Sequence, residues 1–191
     1  ALEADLPAGQ GKEDPAFGRV EVFHGEVTIS LALPKPISSF GDNGKVDLHT
    51  GLPAVAANKF IISNTPGTIY RNLIIMPVRL SEVADAAPGD IRAFDVITGK
   101  LAWTFHTIPY PGEKGYTTWP KDAYKNTHTG AANNWAGMAV DNEKGILFVP
   151  TGSAGYDFYG GNRKGTNLFT NSESTSFNVR SFKLYCILQN G

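Results

Sequence analysis

Short apolar runs separated by turn residues occupy most of this 191-residue chain. Turns are marked by Asp42-Asn43-Gly44, Pro88-Gly89 and Thr98-Gly99, among others. No stretch repeats its apolar residues with the 3.6-residue period of a helix, so the pattern predicts a nearly all-β chain. The runs predicted to form strands are Val20–Phe23, Val27–Leu33, Lys59–Ser63, Thr68–Val78, Asp90–Asp95, Leu101–His106, Met138–Asp141 and Gly145–Pro150.

Three segments lack such runs. Residues 1–19 are polar and rich in Gly and Pro, which predicts a flexible tail. Residues 107–133 and 156–170 are predicted to be long loops, because Pro, Gly and Asn interrupt both of them. Long loops in a compact domain usually carry function or are disordered, so these two loops are where we expect a site.

One strand–turn–strand unit recurs along the chain. Residues 89–104, GDIRAFDVITGKLAWT, contain the pattern A-x-D-x-x-T-G-K-x-x-W from Ala93 to Trp103. In this pattern Asp95 accepts hydrogen bonds from the turn, Gly99 provides a positive φ, and Trp103 buries a large ring against the next sheet. A degenerate copy lies 83 residues later, from Ser176 to Cys186. Units repeated at a fixed spacing predict a β-propeller or a similar radial array.

Composition narrows the class of protein. Lys and Arg number 17 and Asp and Glu 18, which gives a net charge of −1 and argues against nucleic acid as a partner. With 41% hydrophobic and 18% charged residues, the chain is too apolar to be disordered throughout. Cys186 is the single cysteine, so no intrachain disulfide is predicted. No apolar run reaches the roughly 18 residues of a transmembrane helix.

Longer motifs make the sequence similar to a known family. The repeat pattern resembles the tryptophan-docking repeat of dehydrogenases that depend on pyrroloquinoline quinone (PQQ), and the resemblance is strongest over residues 89–172. Within it, FHTIPYPGE, TTWP, GAANNWAGMAVD, VPTGSA and DFYGGNRKGTNLFTNS are similar to the glucose and sugar dehydrogenase branch. Residues 35–88 match less closely, through FGDNGKVDL and LSEVADAAPG.

The resemblance implies an eight-bladed propeller with PQQ and a calcium ion near its axis, in a periplasmic enzyme. At 83 residues for each unit, the chain holds about two and a third units, whereas a closed ring needs four to eight blades. We therefore expect residues 1–191 to form a single incomplete domain, a partial β-propeller of two to three blades with long loops.

By the same resemblance, Trp135 is the ring that stacks on PQQ, and Asn133 and Asn134 hydrogen-bond the cofactor. The alternative for Trp135 is a core tryptophan between two blades. The resemblance assigns calcium to Glu82 and Ser153, although Glu82 would equally suit a solvated loop. His128 is assigned to a sugar hydroxyl, with an exposed loop histidine as the alternative. Trp103 is expected to be structural, and Asp157 and Arg163 are expected to brace their loop.

Two functions remain open at this point. The first is a fragment of a PQQ-dependent dehydrogenase that oxidises a small-molecule sugar or alcohol, inactive by itself because the family's aspartate base lies in an H-x-D-x-W-D-like segment that this sequence does not contain. The second is a non-enzymatic β-module that self-associates through exposed blade edges or binds a partner.

Overall fold

The computed structural model describes residues 37–171 in full and, as backbone, four strands outside that range. The tail predicted for residues 1–19 lies outside the described residues except for Arg19. The strands are β1 (Arg19–Phe23), β2 (Glu26–Ser30), β3 (Lys45–Asp47), β4 (Ile61–Ile62), β5 (Thr68–Tyr70), β6 (Leu73–Met76), β7 (Arg79–Leu80), β8 (Ile91–Asp95), β9 (Leu101–Phe105), β10 (Ala139–Asp141), β11 (Ile146–Val149), β12 (Thr175–Asn178) and β13 (Lys183–Cys186).

The described residues contain no α-helix, as the all-β prediction requires, and only three short 3₁₀ turns, at Ala54–Ala56, Tyr116–Thr118 and Ala123–Lys125. Within these ranges, no helix has the length and apolar character needed to cross a membrane.

The strands form antiparallel sheets whose order follows the chain. The first sheet is β1-β2-β3, the second is β5-β6-β8-β9, and the third is β10-β11-β12-β13; β4 and β7 pair separately. Up-and-down sheets of this kind need only short connections, and each corresponds to one blade of a propeller.

The second sheet is buried on both faces. Along β6, Ile74 and Met76 pack toward the first sheet with Val46 and Phe40, while Ile75 between them packs toward the third sheet. On that third-sheet side the partners include Leu147 and Val149 of β11. Burial on both faces explains why β6 and β8 are continuous apolar runs rather than alternating ones. The three sheets are therefore stacked face to face, as neighbouring blades are.

The repeated unit has the geometry that the pattern predicts. The Asp95 carboxylate accepts hydrogen bonds from the backbone of Ile97 and Thr98 and from the Thr98 hydroxyl, at 2.8 to 3.1 Å. Gly99 has φ +70°. Trp103 packs in the apolar cluster between the second and third sheets, so its structural role is confirmed. The degenerate copy forms β12 and β13, the same third and fourth places in the third sheet that β8 and β9 occupy in the second.

The predicted strands differ from those of the structure in two ways. The run Thr68–Val78 was predicted to be one strand, but it folds back at Arg71 and Asn72 into the hairpin of β5 and β6. Arg71 has φ +56°, a left-handed conformation that is uncommon for arginine and that the sequence therefore does not predict. Strands β3 and β7 were not predicted, because β3 contains a single apolar side chain, Val46, and β7 is only two residues long.

The two long loops form a small core of their own. Ile108, Trp119 and Ala123 pack with Ala132 and Ala154, and all five are buried. The indole nitrogen of Trp119 donates a hydrogen bond to the backbone carbonyl of Leu168, which joins the two loops. Trp119, which has no role in the sequence interpretation, thus fixes one loop to the other.

Candidate functional site

The loops and β7 enclose a cavity of about 330 Å³. This volume falls in the range of pockets that bind small molecules. A second depression of about 480 Å³ is larger, but it has no charged side chain in its lining. The smaller cavity is the candidate site because its walls combine an aromatic ring with charged and polar groups. Its lining residues are Asn64, Arg79, Leu80, Ser81, Glu82, Ala131, Asn133, Trp135, Gly152, Ser153 and Asp157.

Four of the six residues predicted for the site line this cavity. Trp135, Asn133, Glu82 and Ser153 come together there from three separate stretches of the chain. Asn134 and His128 are not part of the lining.

The segment Gly130-Ala131-Ala132 makes this convergence possible through small side chains. Ala131 and Ala132 both have left-handed backbones, with φ +57° and +61°. The Ala131 backbone accepts a hydrogen bond from Gly89 and donates one to Ala87, at 2.8 and 2.9 Å. A Cβ atom on Gly130 would lie against the Ala86 carbonyl carbon at only 2.6 Å, so no larger residue fits. The close backbone contacts explain why this motif is built from Gly and Ala.

Trp135 presents its ring to solvent rather than to a core. Trp135 is 61% exposed, and it lies at the wall of the cavity. Its carbonyl accepts a 2.7 Å hydrogen bond from the Thr65 hydroxyl, which anchors the backbone. Beside it lies Gly152, where an added Cβ would come within 3.6 Å of the indole nitrogen. The glycine therefore leaves one edge of the ring uncovered inside the cavity.

The two neighbouring asparagines are used differently. The Asn133 amide nitrogen donates to the Val78 carbonyl at 2.5 Å, and the residue remains 8% exposed at the cavity wall. Asn134 is fully buried, and its amide nitrogen donates to the carbonyls of Gly137 and Pro150. Its amide oxygen accepts from the Gly137 backbone. These hydrogen bonds hold the turn at Trp135 in place, and the cofactor contact predicted for Asn134 stays a prediction.

An acidic side of the cavity is formed by Glu82 and Asp157. Burial raises the pKa of the Asp157 carboxyl, the negative charge of Glu82 raises it further, and Arg163 opposes both. Asp157 was interpreted as a loop residue, and its sequence context carries no signal that would place it beside Glu82. Its position emerges only from the folded loop.

Arg163 lies behind the acidic side and braces the loop, as the sequence interpretation expects. Its guanidinium donates to the Asn167 amide oxygen at 2.9 Å and to the Ser153 hydroxyl at 3.0 Å. The Ser153 hydroxyl in turn donates to the Asp157 carbonyl at 3.3 Å. An oxygen that accepts from a cation is a poor ligand for a second cation, so Ser153 suits calcium less well than Glu82 does.

His128 is an exposed loop residue whose backbone carbonyl accepts a hydrogen bond from Asn162. It is absent from the cavity lining.

The residues present fit PQQ better than they fit calcium. An exposed indole at the wall of a cavity is what a flat aromatic cofactor needs, and the uncovered edge at Gly152 leaves room beside it. For calcium, the lining supplies the carboxylates of Glu82 and Asp157. Within the described ranges, no three His, Cys, Asp or Glu side chains come together to hold a metal ion.

The stacked antiparallel sheets define a partial β-propeller, and comparison with known proteins identifies its family. Residues 28–173 match the family described as "PQQ: Glucose/ethanol/alcohol dehydrogenase, beta-propeller domain". The chain therefore belongs to the family of PQQ-dependent glucose, ethanol and alcohol dehydrogenases, and the predicted family and partial propeller fold are confirmed.

Individual relatives support the same assignment. The chain is 40% identical over 127 residues to the quinate/shikimate dehydrogenase (quinone) of Acinetobacter baylyi, which covers 65% of this chain and 15% of that protein. It is 30% identical over 139 residues to quinoprotein glucose dehydrogenase A of Acinetobacter calcoaceticus, covering 72% and 17%. The chain thus spans less than a fifth of the length of these relatives.

Solved structures agree on the fold. The quinohemoprotein alcohol dehydrogenase ADHIIG of Pseudomonas putida HK5 superposes with a TM-score of 0.58 at 21% identity, over 90% of this chain and 26% of that one. A europium-containing methanol dehydrogenase gives a TM-score of 0.56 at 15% identity, over 87% and 31%.

Proposed function

We propose that this chain supplies the PQQ-stacking wall of a dehydrogenase that oxidises a sugar, an alcohol or a related hydroxy compound. The observation that carries the proposal is the 61% exposed indole of Trp135 at the wall of a cavity lined by charged and polar side chains. Relatives named for glucose and for quinate or shikimate support the substrate range.

In this proposal each residue has a separate task. Bound PQQ would supply the chemistry by accepting two electrons from the substrate carbon. Trp135 provides the flat surface against which the cofactor lies, and Asn133 is the polar group beside it. Gly152 keeps the edge of the indole clear. Glu82 is the ligand proposed for calcium, with Asp157 as a second carboxylate on the same side and Ser153 as the weaker oxygen donor.

Four assignments made from the sequence remain proposals. A sugar hydroxyl contact for His128 would require its loop to turn toward the cavity, because the side chain is exposed outside the lining. Periplasmic location and the calcium requirement rest on resemblance to the family. The chain's activity as an enzyme belongs to the same proposal.

The stacking proposal can be tested by titrating the chain with PQQ, with and without calcium. We expect quenching of tryptophan fluorescence, and equilibrium dialysis should give a dissociation constant for the same event. Trp135→Ala should weaken binding about tenfold or more, because a large stacking surface is lost. Phe60→Ala removes another exposed ring outside the lining and is the matched control. Absence of quenching by saturating PQQ would disprove the proposal.

Calcium has its own test. Glu82→Gln keeps the shape of the side chain but removes its charge, so calcium should no longer increase PQQ affinity. PQQ binding in the absence of calcium should be unchanged. An equal calcium effect in both proteins would rule out Glu82 as the ligand.

A further inference from the structure

Arg79 is a cationic group at the cavity wall that the proposed function leaves unused. It lies in β7, where its backbone is paired with Ile62. The next residue, Leu80, is 6% exposed and packs in the core beneath. Alternation along the strand therefore holds Arg79 on the solvent side, at the lining of the cavity.

The Arg79 guanidinium has no partner within the part of the chain that the structure describes. Among the described residues, none accepts a hydrogen bond from it or forms an ion pair with it. Arg163, by contrast, is tied to Asn167 and Ser153 and stands behind the wall. Arg79 is thus the cation of the lining whose planar set of N–H donors remains available, and that set matches the two oxygens of a carboxylate.

The charges of the cavity are unevenly distributed. The negative charge of Glu82 raises the pKa of the Asp157 carboxyl, so the two carboxylates lie near each other. Glu82 and Asp157 therefore form one acidic side, away from which a negatively charged ligand group would turn. Neutral polar side chains, Asn64 and Ser81, complete the lining and suit hydroxyl groups.

We propose that Arg79 binds the carboxylate of a polyhydroxy acid, so that this cavity selects a sugar acid or related hydroxy acid over a neutral sugar. The oxidation of that ligand rests on the proposed function. The carboxylate contact itself requires only the folded chain, so the two can fail separately.

The test compares D-glucuronate with D-glucose, which carry the same ring and differ at the carboxylate. Ligand-observed NMR on the full chain, with and without PQQ, measures binding of each probe. We expect glucuronate to bind about tenfold or more tightly than glucose, since charge-assisted bidentate hydrogen bonds are strong. Arg79→Gln should abolish this preference and leave glucose binding unchanged. Arg79→Lys should retain part of it, because the charge remains but the fork is lost.

Arg71→Gln is the matched control, because it removes an exposed arginine that lies over the Tyr70 ring and outside the cavity lining. Circular dichroism and thermal melting check that the variants fold. PQQ is a tricarboxylate, so the cofactor is the competing source of the carboxylate. If Arg79→Gln weakens PQQ binding about tenfold and spares glucuronate, the proposal is overturned. Equal binding of the two sugars by the wild type would also overturn it. A glucuronate preference without PQQ quenching would refute the proposed function alone.

Discussion

Asp90 is a buried carboxyl group whose ionisation opposes folding. It is 2% exposed, and its oxygen accepts a 3.3 Å hydrogen bond from the Thr107 backbone. Burial raises the pKa of Asp90 to about 6, although His106 and Arg92 act to lower it. The pKa of Asp90 is higher in the folded protein than in the unfolded chain. The contribution of protonated Asp90 to the free energy of unfolding is therefore complete below about pH 4 and is lost as the pH rises through 6.

Asp90→Asn should therefore stabilise the protein at pH 7.5 by about 3 kcal/mol, since the amide keeps the acceptor and removes the buried charge. At pH 4 the variant and the wild type should be nearly equal. Urea unfolding at both pH values measures the difference. Asp42→Asn, at an exposed turn, controls for the loss of one negative charge. A variant that gains nothing at pH 7.5 would contradict the assignment.

Gly152 determines how much of the Trp135 ring is open. A Cβ there makes ordinary contacts of 3.5 to 3.8 Å with Asn133 and Trp135, so Gly152→Ala should fold and bind normally. Gly152→Val places two further methyl groups at the edge of the indole. It should weaken PQQ binding about tenfold while changing the melting temperature little, because the position lies at a cavity and not in a packed core. Equal PQQ affinity for the valine variant would show that the cofactor lies elsewhere.

At the scale of elements, the turn between β8 and β9 depends on Gly99. A Cβ on Gly99 would lie 2.7 Å from the Val46 side chain and 2.8 Å from the Gly41 nitrogen, in addition to the strain of its positive φ. Gly112 also has a positive φ, +91°, but a Cβ there meets nothing within 4 Å. Gly112→Ala should therefore cost about 1 kcal/mol, and Gly99→Ala at least about 2 kcal/mol.

Denaturant unfolding of the two variants separates backbone strain from steric clash. The comparison also tests the contact of this turn with the segment before β3, where the Gly41 backbone N–H donates a 2.9 Å hydrogen bond to the Thr98 carbonyl. An equal loss in the free energy of unfolding for the two variants would mean that the residues around Gly99 move to accommodate the added methyl group.

The sequence predicts well those elements whose turns are specified by neighbouring residues alone. Strands β8 and β9 are read correctly because Asp95, Thr98 and Gly99 specify their own turn. The Arg71-Asn72 turn is missed because the apolar run continues through it, and tertiary packing on both faces decides where the chain folds back. A local sequence pattern can therefore predict a turn that its own residues specify, but not a turn that depends on packing against neighbouring sheets.

The residues of the candidate site also fall into two groups, those that the sequence predicts and those that only the fold brings together. Resemblance identifies Trp135, Asn133, Glu82 and Ser153, and all four line one cavity. Arg79 and Asp157 escape prediction because each stands beside the others only after β7 and the loop at residues 152–171 have folded. Asn134 has the right neighbours in sequence, but its buried amide serves the turn. The sequence shows which residue types are present. Whether a polar side chain can bind a ligand depends on the hydrogen bonds that it already makes within the folded protein.

At the scale of the whole molecule, three sheets stacked through two apolar clusters are stable only if both interfaces are filled. Leu147 is fully buried between the second and third sheets. Leu147→Ala should cost about 2–5 kcal/mol, measured by denaturant unfolding. A cost below 1 kcal/mol would show that the third sheet is not firmly attached to the second.

The same stacking leaves sheet edges, and these underlie the prediction that the chain self-associates. Among the described strands, β9 is the outermost strand of the second sheet, and outermost strands are where sheets of two chains can meet. Light scattering after size exclusion should give a mass above the 20.5 kDa of one chain as concentration rises. Ala102→Lys puts a charge at an exposed position of β9 and should restore the single-chain mass. Ala57→Lys adds the same charge at an exposed turn and should leave association unchanged. A wild-type chain that stays at 20.5 kDa at every concentration would remove edge pairing as a property of this fold.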